Sequence, residues 1–263
     1  MMKIVTPCVI GCFVALLIIG CGSSSDSFSQ FEPAGRSEPV CEFGVSGTFS
    51  IVAVDPNTGV CGAAVASKFP SVGLVVPYVR AGVGAFCTQH WHNPAWGPHA
   101  LDRLAEGQLP EQVLAELLRT DERRDKRQLA IIDMSGRAAN RNPSNADASG
   151  LWWGSAAGRY YACQGNTLTG RDVIFAMATA YEVTSGTLAD RLMAALVAGD
   201  RAGGDHRGRL AAGLRVAKEG VEGHWLELYV HRSDNAVMEL AEKYAALEHE
   251  AKGDNGVTTS TQK

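Results

Sequence analysis

The sequence has no surplus of positive charge, no glycine-rich phosphate loop of the usual spacing and no apolar run as long as a bilayer is thick. Its 24 Lys and Arg stand against 28 Asp and Glu, a net charge of −4. The basic footprint of a nucleic-acid-binding protein is therefore missing. The densest basic stretch, Arg119 to Arg127, is interleaved with Asp121, Glu122 and Asp125, which is the pattern of a solvated helix end and loop. No spacing of cysteines or histidines resembles a zinc site, and no internal repeat points to a solenoid. What remains is ordinary globular composition, 46% hydrophobic and 20% charged over 263 residues. That suits one large domain with appendages and a sizeable core.

The first residues read as an address. One positive charge at Lys3 precedes an almost wholly apolar run from Val9 to Gly20. The run is shorter than the ~20 residues of a comfortable span and matches a secretory signal. Its exit, Ile18-Ile19-Gly20-Cys21, resembles a bacterial lipobox, in which the cysteine is diacylated and becomes the new first residue. We therefore expect a signal peptide over 1–20 and a lipid-anchored linker over 21–47, rich in Ser, Glu, Pro and Gly. A folded domain over 48–249 and a polar tail over 250–263 complete the chain. The expected location is the bacterial cell envelope, on the periplasmic or surface side of a membrane. Cys41, Cys61, Cys87 and Cys163 then lie in a compartment that permits disulfides. Three pairings are open to them, and free buried thiols stand equal to bridges.

Along the domain, Thr48 to Val54 and Val60 to Ser67 have strand character. The turn Asp55-Pro56-Asn57-Thr58-Gly59 joins them as a hairpin. Leu74 to Val79 and Gly82 to Gln89 read as further strands. Pro98 and Pro110 open two helices, with Val113, Leu114, Leu117 and Leu118 aligned on the second. Arg127 to Met134 is a strand, Ala139 to Gly158 loop-like, and Arg159 to Asn166 a strand. Thr169 with Asp172 and Thr187 with Asp190 look like capping boxes opening two more helices, the second ending at Gly199. Strands over Gly208 to Val216 and Trp225 to His231 and a final amphipathic helix from Val237 follow. Strands and helices come in blocks rather than alternating, which predicts antiparallel sheets covered by helices. A four-layer α-β-β-α sandwich fits that order.

Gly47-Thr48 carries a chemical suggestion. Threonine is a weak nucleophile until a base takes its proton, and an N-terminal threonine supplies that base through its own α-amino group. The amine's reference pKa, about 7.7–8.0, suits work at neutral pH. Such a threonine belongs at the start of a strand, as Thr48 is, and Gly-Thr is a junction that self-processing enzymes cut.

The run Thr48-Phe-Ser-Ile-Val-Ala-Val-Asp55 resembles the opening of the family called domain of unknown function 1028. So do Val65-Ala-Ser-Lys-Phe69, Val72-Gly-Leu-Val-Val-Pro77, Arg80-Ala-Gly-Val-Gly84 and Thr88-Gln89, then Arg127-Gln-Leu129, Gln164-Gly-Asn166 and Gly203-Gly-Asp205-His-Arg207-Gly208. The match covers about residues 48 to 232, with its motifs in one order. The resemblance implies the α-β-β-α fold of N-terminal nucleophile (Ntn) hydrolases. Members without an export signal tend to begin Met-Thr-Phe-Ser, so removal of Met exposes the threonine equivalent to Thr48. Here Thr48 is internal, and one further cut after Gly47 is needed. That cut would also release the domain from its lipid. Two departures stand out: Leu210-Ala211-Ala212-Gly213 replaces the family's frequent Gln-Ser-Ala-Ala, and the loop from Ala139 to Gly154 diverges.

The expected chemistry is hydrolysis of an amide bond in a small peptide or amino-acid derivative. Thr48 is nucleophile and base, and Lys68 tunes the amine or steadies the hydroxyl. Gln89 and Asn166 stabilise an oxyanion. Asp205 and Arg207 orient a charged substrate group, or else form an ion pair that fixes their glycine-rich bend. Asp55 is a turn residue whose carboxylate has a route to the site. His90, His92 and His99, near Trp91 and Trp96, lack the ligands that would complete a metal site. No metal or organic cofactor and no nucleic acid is implied. The partners are the substrate, a membrane through Cys21 and, compatibly, further copies of the chain. The competing expectation is a non-catalytic envelope or pilus-associated binding lipoprotein on the same fold. A third is hydrolysis at the histidine cluster.

Overall fold

The structure, a computed structural model, describes residues 44–45, 47–144 and 151–254. The expected signal peptide, Cys21 and Cys41 lie outside these residues. Among the described residues no helix is long and apolar enough to cross a membrane.

Among the described residues, two antiparallel sheets and six α-helices make up the fold. The hairpin expected from the sequence is the centre of one sheet: β2 (Thr48–Asp55) pairs β3 (Val60–Ser67) from Thr48 opposite Ser67 to Asp55 opposite Val60. With β8 (Trp152–Gly158), β9 (Tyr161–Leu168), β10 (Ala211–Lys218) and β11 (Leu226–Val230), the strand order is β11-β10-β3-β2-β9-β8. The other sheet centres on β5 (Gly84–Trp91) and β6 (Arg127–Asp133), with β7 (Ala138–Arg141) beyond β6. One edge of β5 is shared by β4 (Pro77–Arg80), along Gly84 to Cys87, and by β1 (Gly44–Val45), at His90 and Trp91.

Both faces of the hairpin are buried, so its strands read as nearly continuous small and apolar residues rather than alternating ones. Phe49, Ile51 and Ala53 join the side chains of α4 (Asp172–Val183) and α5 (Leu188–Arg201), among them Met177, Tyr181 and Leu192, in one apolar cluster. Val52 and Val54 point the other way. They meet Ala85, Cys87, Ala130 and Ile132 of the opposite sheet. A third cluster joins Phe86, Leu129 and Ile131 to Leu101, Leu104 and Leu117 of α2 (Trp96–Ala105) and α3 (Pro110–Arg119).

The order of elements agrees with the sequence reading except at defined places. The strand expected over Leu74 to Val79 forms only from Pro77, in β4, and Val72–Val75 is one helical turn, α1, closed by the Val76 N–H donating to the Val72 carbonyl at 3.1 Å. The stretch expected as a loop contains β7 and β8. Both are edge strands with one neighbour each, so polar residues take positions that a central strand fills with apolar ones. Helix α2 begins at Trp96, before Pro98. The capping box at Thr187 and Asp190 forms, but Thr169 does not cap α4. Arg171 holds that position, and the Thr169 hydroxyl donates to the Ala202 carbonyl. Gly199 lies inside α5, pressed against Met177, and the helix runs on to Arg201. The last helix, α6 (Ala236–Asp254), extends past the expected start of the tail. Cys61, Cys87 and Cys163 are free and buried. Burial pushes their thiols up to about 11, 12 and 12, so they behave as small apolar side chains.

One buried charge pair fixes the start of β6. Arg127 is wholly buried, with Nε and Nη2 donating to the two carboxylate oxygens of Asp121 at 2.7 and 2.9 Å and Nη1 to the Trp91 carbonyl at 2.5 Å. Its guanidinium lies 4.8 Å from the centre of the Trp96 ring. Burial, the largest single influence, works against the Asp121 carboxylate, but the Arg127 hydrogen bonds, the Arg123 N–H and the charges of both arginines together outweigh it and hold its pKa below the ordinary 3.8. We expect Asp121→Ala to strand the buried guanidinium and cost about 3–5 kcal/mol in urea unfolding at neutral pH. In the wild type this contribution is full above pH ~4 and is lost as pH falls through the lowered native value. The gap between the two proteins should narrow there.

Candidate functional site at the Gly47–Thr48 junction

The alternation of the strands builds the site. The side chains between the two sheets are apolar over most of the layer: Val52 and Val54 on β2, Cys61, Ala63 and Val65 on β3, Ala85 and Cys87 on β5, Ala130 and Ile132 on β6, and Ala162 on β9. Continuing each strand by steps of two in one direction gives Ser50 and Thr48, Ser67, Gln89, Gln128, and Gln164 and Asn166. Every one of these polar side chains is buried at 0% exposure. The inter-sheet layer thus changes from apolar to polar at one end, on five strands at once.

Gln128 ties this end together. Its Oε1 accepts from Gln89 Nε2 and from Asn166 Nδ2, each at 2.8 Å. Its Nε2 donates to the Gly165 carbonyl at 2.8 Å and to Asn142 Oδ1 at 3.0 Å. Ser50 donates to Gln89 Oε1 at 2.7 Å. The network ends on the main chain of the junction. Asn166 Oδ1 accepts the Gly47 N–H at 2.6 Å, and Gln89 Nε2 donates to the Thr48 carbonyl at 3.3 Å.

The Gly47 carbonyl, the acyl half of the Gly47–Thr48 peptide bond, has its own pair of donors. Ser67 Oγ donates to it at 2.9 Å and the Lys68 N–H at 3.2 Å. Thr48 Oγ1 lies 2.9 Å from Ser67 Oγ. A hydroxyl has a single proton to give. With Ser67 donating to Gly47, the Thr48 hydroxyl is the donor to Ser67. A hydrogen-bonded line therefore runs from the Thr48 hydroxyl through Ser67 to the carbonyl beside it.

The glycine-rich bend closes the site from the third side. Thr169 N–H donates to Gly204 O, His206 N–H to Thr167 O, and Leu210 N–H to Ser67 O. These bonds sew the bend to the ends of β9 and β3. Asp205 has a fully buried carboxylate that accepts from Arg207 through the main-chain N–H, Nε and Nη2. Gly47, at φ +82°, passes directly over this pair.

Five of the six residues singled out from sequence, Thr48, Gln89, Asn166, Asp205 and Arg207, thus meet around one peptide bond. Lys68 adjoins it differently. Its side chain is exposed, and Nζ donates to the Arg207 carbonyl at 3.0 Å, so its contribution to the junction is its main-chain N–H. Asp55 lies at the far end of β2, its carboxylate taken by Asn57 and Thr58 in the hairpin turn. Seven residues of strand, roughly 23 Å, separate it from Thr48. The histidines disperse: His99 pairs with Glu116 on α3 at 3.2 Å, whereas His90 stands edge-on to Trp153 at 4.6 Å. Burial, with Lys126 and Arg207 adding, holds the His90 imidazole down at about 4. No three His, Cys, Asp or Glu side chains among the described residues are grouped to hold a metal ion. Ser67, Gln128 and Ser50 have no role in the sequence reading. The signal that reaches them is strand parity, since each falls an even number of residues along its strand from an inter-sheet apolar position.

These two antiparallel sheets with their buried polar end place the protein in the mixed α/β class. The chain belongs to a family of unknown function (DUF1028), whose model matches residues 48–240. A crystal structure of a protein from Silicibacter pomeroyi, assigned to the same family, is similar at 31% sequence identity and a TM-score of 0.69. The similarity spans 76% of this chain and 85% of that one. No curated protein matches.

The Gln128 hub gives a direct test of the network. Gln128→Leu preserves volume but leaves the buried amide groups of Gln89 and Asn166 without their shared acceptor. We expect a loss of about 1–3 kcal/mol for each donor left unpaired, read from urea denaturation. Unchanged stability would mean the carboxamides repair their bonds elsewhere.

Proposed function

We propose that the protein is an amide hydrolase of the N-terminal nucleophile type, built on an α-β-β-α sandwich and acting on a small peptide or amino-acid derivative. In this reading it is exported and lipid-anchored at Cys21, and Thr48 becomes reactive when the chain is cut after Gly47. The three apolar clusters, one between the sheets and one on the outer face of each, support the layered arrangement. The observation that carries the chemistry is the Gly47 carbonyl. It is held by two donors, Ser67 Oγ and the Lys68 N–H, with the neighbouring Thr48 hydroxyl bonded to the first of them.

In the proposed self-cut, Thr48 Oγ1 attacks the Gly47 carbonyl carbon and its proton leaves through Ser67. The oxyanion is stabilised by Ser67 and the Lys68 N–H, a role that preorganised donors fill well in a dry site. The C–N bond then breaks as the Thr48 nitrogen takes up the proton that left Oγ1 and the carbonyl re-forms, leaving Gly47 as an ester on Oγ1. Water hydrolyses the ester, so the leader departs with a carboxylate and Thr48 keeps a free amine and hydroxyl. On a substrate amide the amine takes the Oγ1 proton, Oγ1 bonds to the acyl carbon, and the leaving amine carries the proton away. Water then releases the acid. Asn166 and Gln89 hold the main chain on either side of the bond, and Asp205 with Arg207 forms the wall beneath it.

The competing reading, a tethered binding protein without catalysis, draws on one fact: in the uncut chain Thr48 is fully enclosed. Intact mass and N-terminal sequencing of the full chain from bacterial envelopes separate the two. We expect a species beginning at Thr48 in the soluble fraction. Thr48→Ala should remain intact and membrane-bound, and Ser67→Ala should cut about 100-fold more slowly or worse. Cys21→Ser should leave the membrane and still be cut. A wild-type chain that begins only at lipidated Cys21 would exclude the mechanism and favour the binding protein.

A further inference from the structure

We infer that the amide hydrolysed here carries glycine on its acyl side, within an extended peptide that adds as a strand to the edge of β5 at His90 and Trp91. This rests on the hydrolase reading. One nucleophile and one pair of carbonyl donors serve both the self-cut and the turnover, so a substrate's acyl group must lie where Gly47 now lies. The uncut chain is therefore a template for the acyl half of the substrate.

Three features of that template define it. First, the wall excludes a side chain. A Cβ on Gly47 would stand 1.6 Å from Arg207 Nη2 and 2.0 Å from Asp205 Oδ2. The arginine end is partly exposed and can move, but the Asp205 carboxylate is at 0% exposure and is held through Oδ1 by the Arg207 main-chain N–H. A dense interior does not yield by the ångström or more that alanine would need. Second, Gly47 lies at φ +82°, a conformation glycine adopts freely and L-residues rarely do. Third, the Gly47 N–H is donated to Asn166 Oδ1 at 2.6 Å, a contact that the amide N–H of a glycine within a peptide makes. Ahead of it, Gly44 and Val45 pair antiparallel with Trp91 and His90. Departure of the leader frees this length of sheet edge, and an incoming peptide recovers the same main-chain bonds by strand addition.

The test uses the protein that begins at Thr48 and two probes: acetyl-Gly-Val-Ser-Gly coupled to aminomethylcoumarin, and the same peptide ending in L-alanine. We expect kcat/KM for the glycine peptide to exceed that for the alanine peptide by at least about 100-fold, at the upper end of what one methyl group can discriminate. Equal turnover of the two, or turnover of neither by a protein whose Thr48 amine is free, overturns the glycine assignment and leaves the exposed threonine standing. Failure to find any Thr48-terminal species is the separate result that removes the hydrolase reading, and this inference with it.

Discussion

A polar layer sealed between two apolar sheets is the constraint on which the rest of the structure depends. Amides and hydroxyls taken out of water cost free energy unless they bond one another, and most in this layer do, Gln164 Oε1 being left without a partner among the described residues. The carboxamide of Gln128 answers much of that demand, since both lone pairs of its oxygen and both protons of its nitrogen are engaged. The strands that meet there have little freedom left. A shift of one residue in any of them would turn its polar end toward the helices and an apolar residue into the network. Register across both sheets is thereby coupled to the position of one peptide bond.

That coupling explains why the two ends of the inter-sheet layer differ in character. At the hairpin end, Val52, Val54 and Cys61 fill space, with the Cys61 thiol donating to the Arg80 carbonyl. At the other end, hydrogen-bond direction matters more than volume, and even the main chain of Gly47 and Thr48 is part of the network. The glycine-rich bend is held to the same place by bonds to β9 and β3, so Asp205 is fixed in relation to strands distant from it in sequence. Its carboxylate is satisfied by Arg207, which answers a question that the sequence leaves open. The two form an ion pair that fixes the bend, and the pair also borders the junction. Of the two alternatives that the residues suggested, the ion pair is the one the structure contains.

The hairpin, the helices opening at Pro110 and Thr187 and the antiparallel character of the sheets were legible because local chemistry determines them: a turn sequence, a capping box, blocks of strands. The edge strands β7 and β8 were not, since solvent on one side lets polar residues occupy strand positions and erases the pattern. At the site, Thr48, Gln89, Asn166, Asp205 and Arg207 could be singled out by residue type within motifs. Ser67 and Gln128 could not, because a serine at a strand end and a glutamine beside a buried arginine have no distinctive type. Their importance comes from pairing with residues of other strands, within one sheet for Ser67 and across the two sheets for Gln128, which sequence spacing does not record. Lys68 shows the converse. Its charge drew attention, whereas its main-chain N–H is what meets the Gly47 carbonyl.

The electrostatic surroundings of Thr48 bear on the proposed chemistry. The neighbours of the junction are carboxamides and hydroxyls, and the nearby carboxylate, Asp205, is occupied by Arg207. A free amine generated at Thr48 would find no uncommitted carboxylate among the described residues of this cluster to stabilise an ammonium. A neutral amine is the form that can accept a proton from Oγ1. A layer rich in hydrogen-bonding groups but poor in net charge is thus suited to keeping an N-terminal base unprotonated near neutrality. An acidic residue in the place of Gln89 or Gln128 would do the opposite. The composition of the cluster, neutral polar groups on five strands, is the physical link between the way the sheets pack and the reaction proposed at their edge.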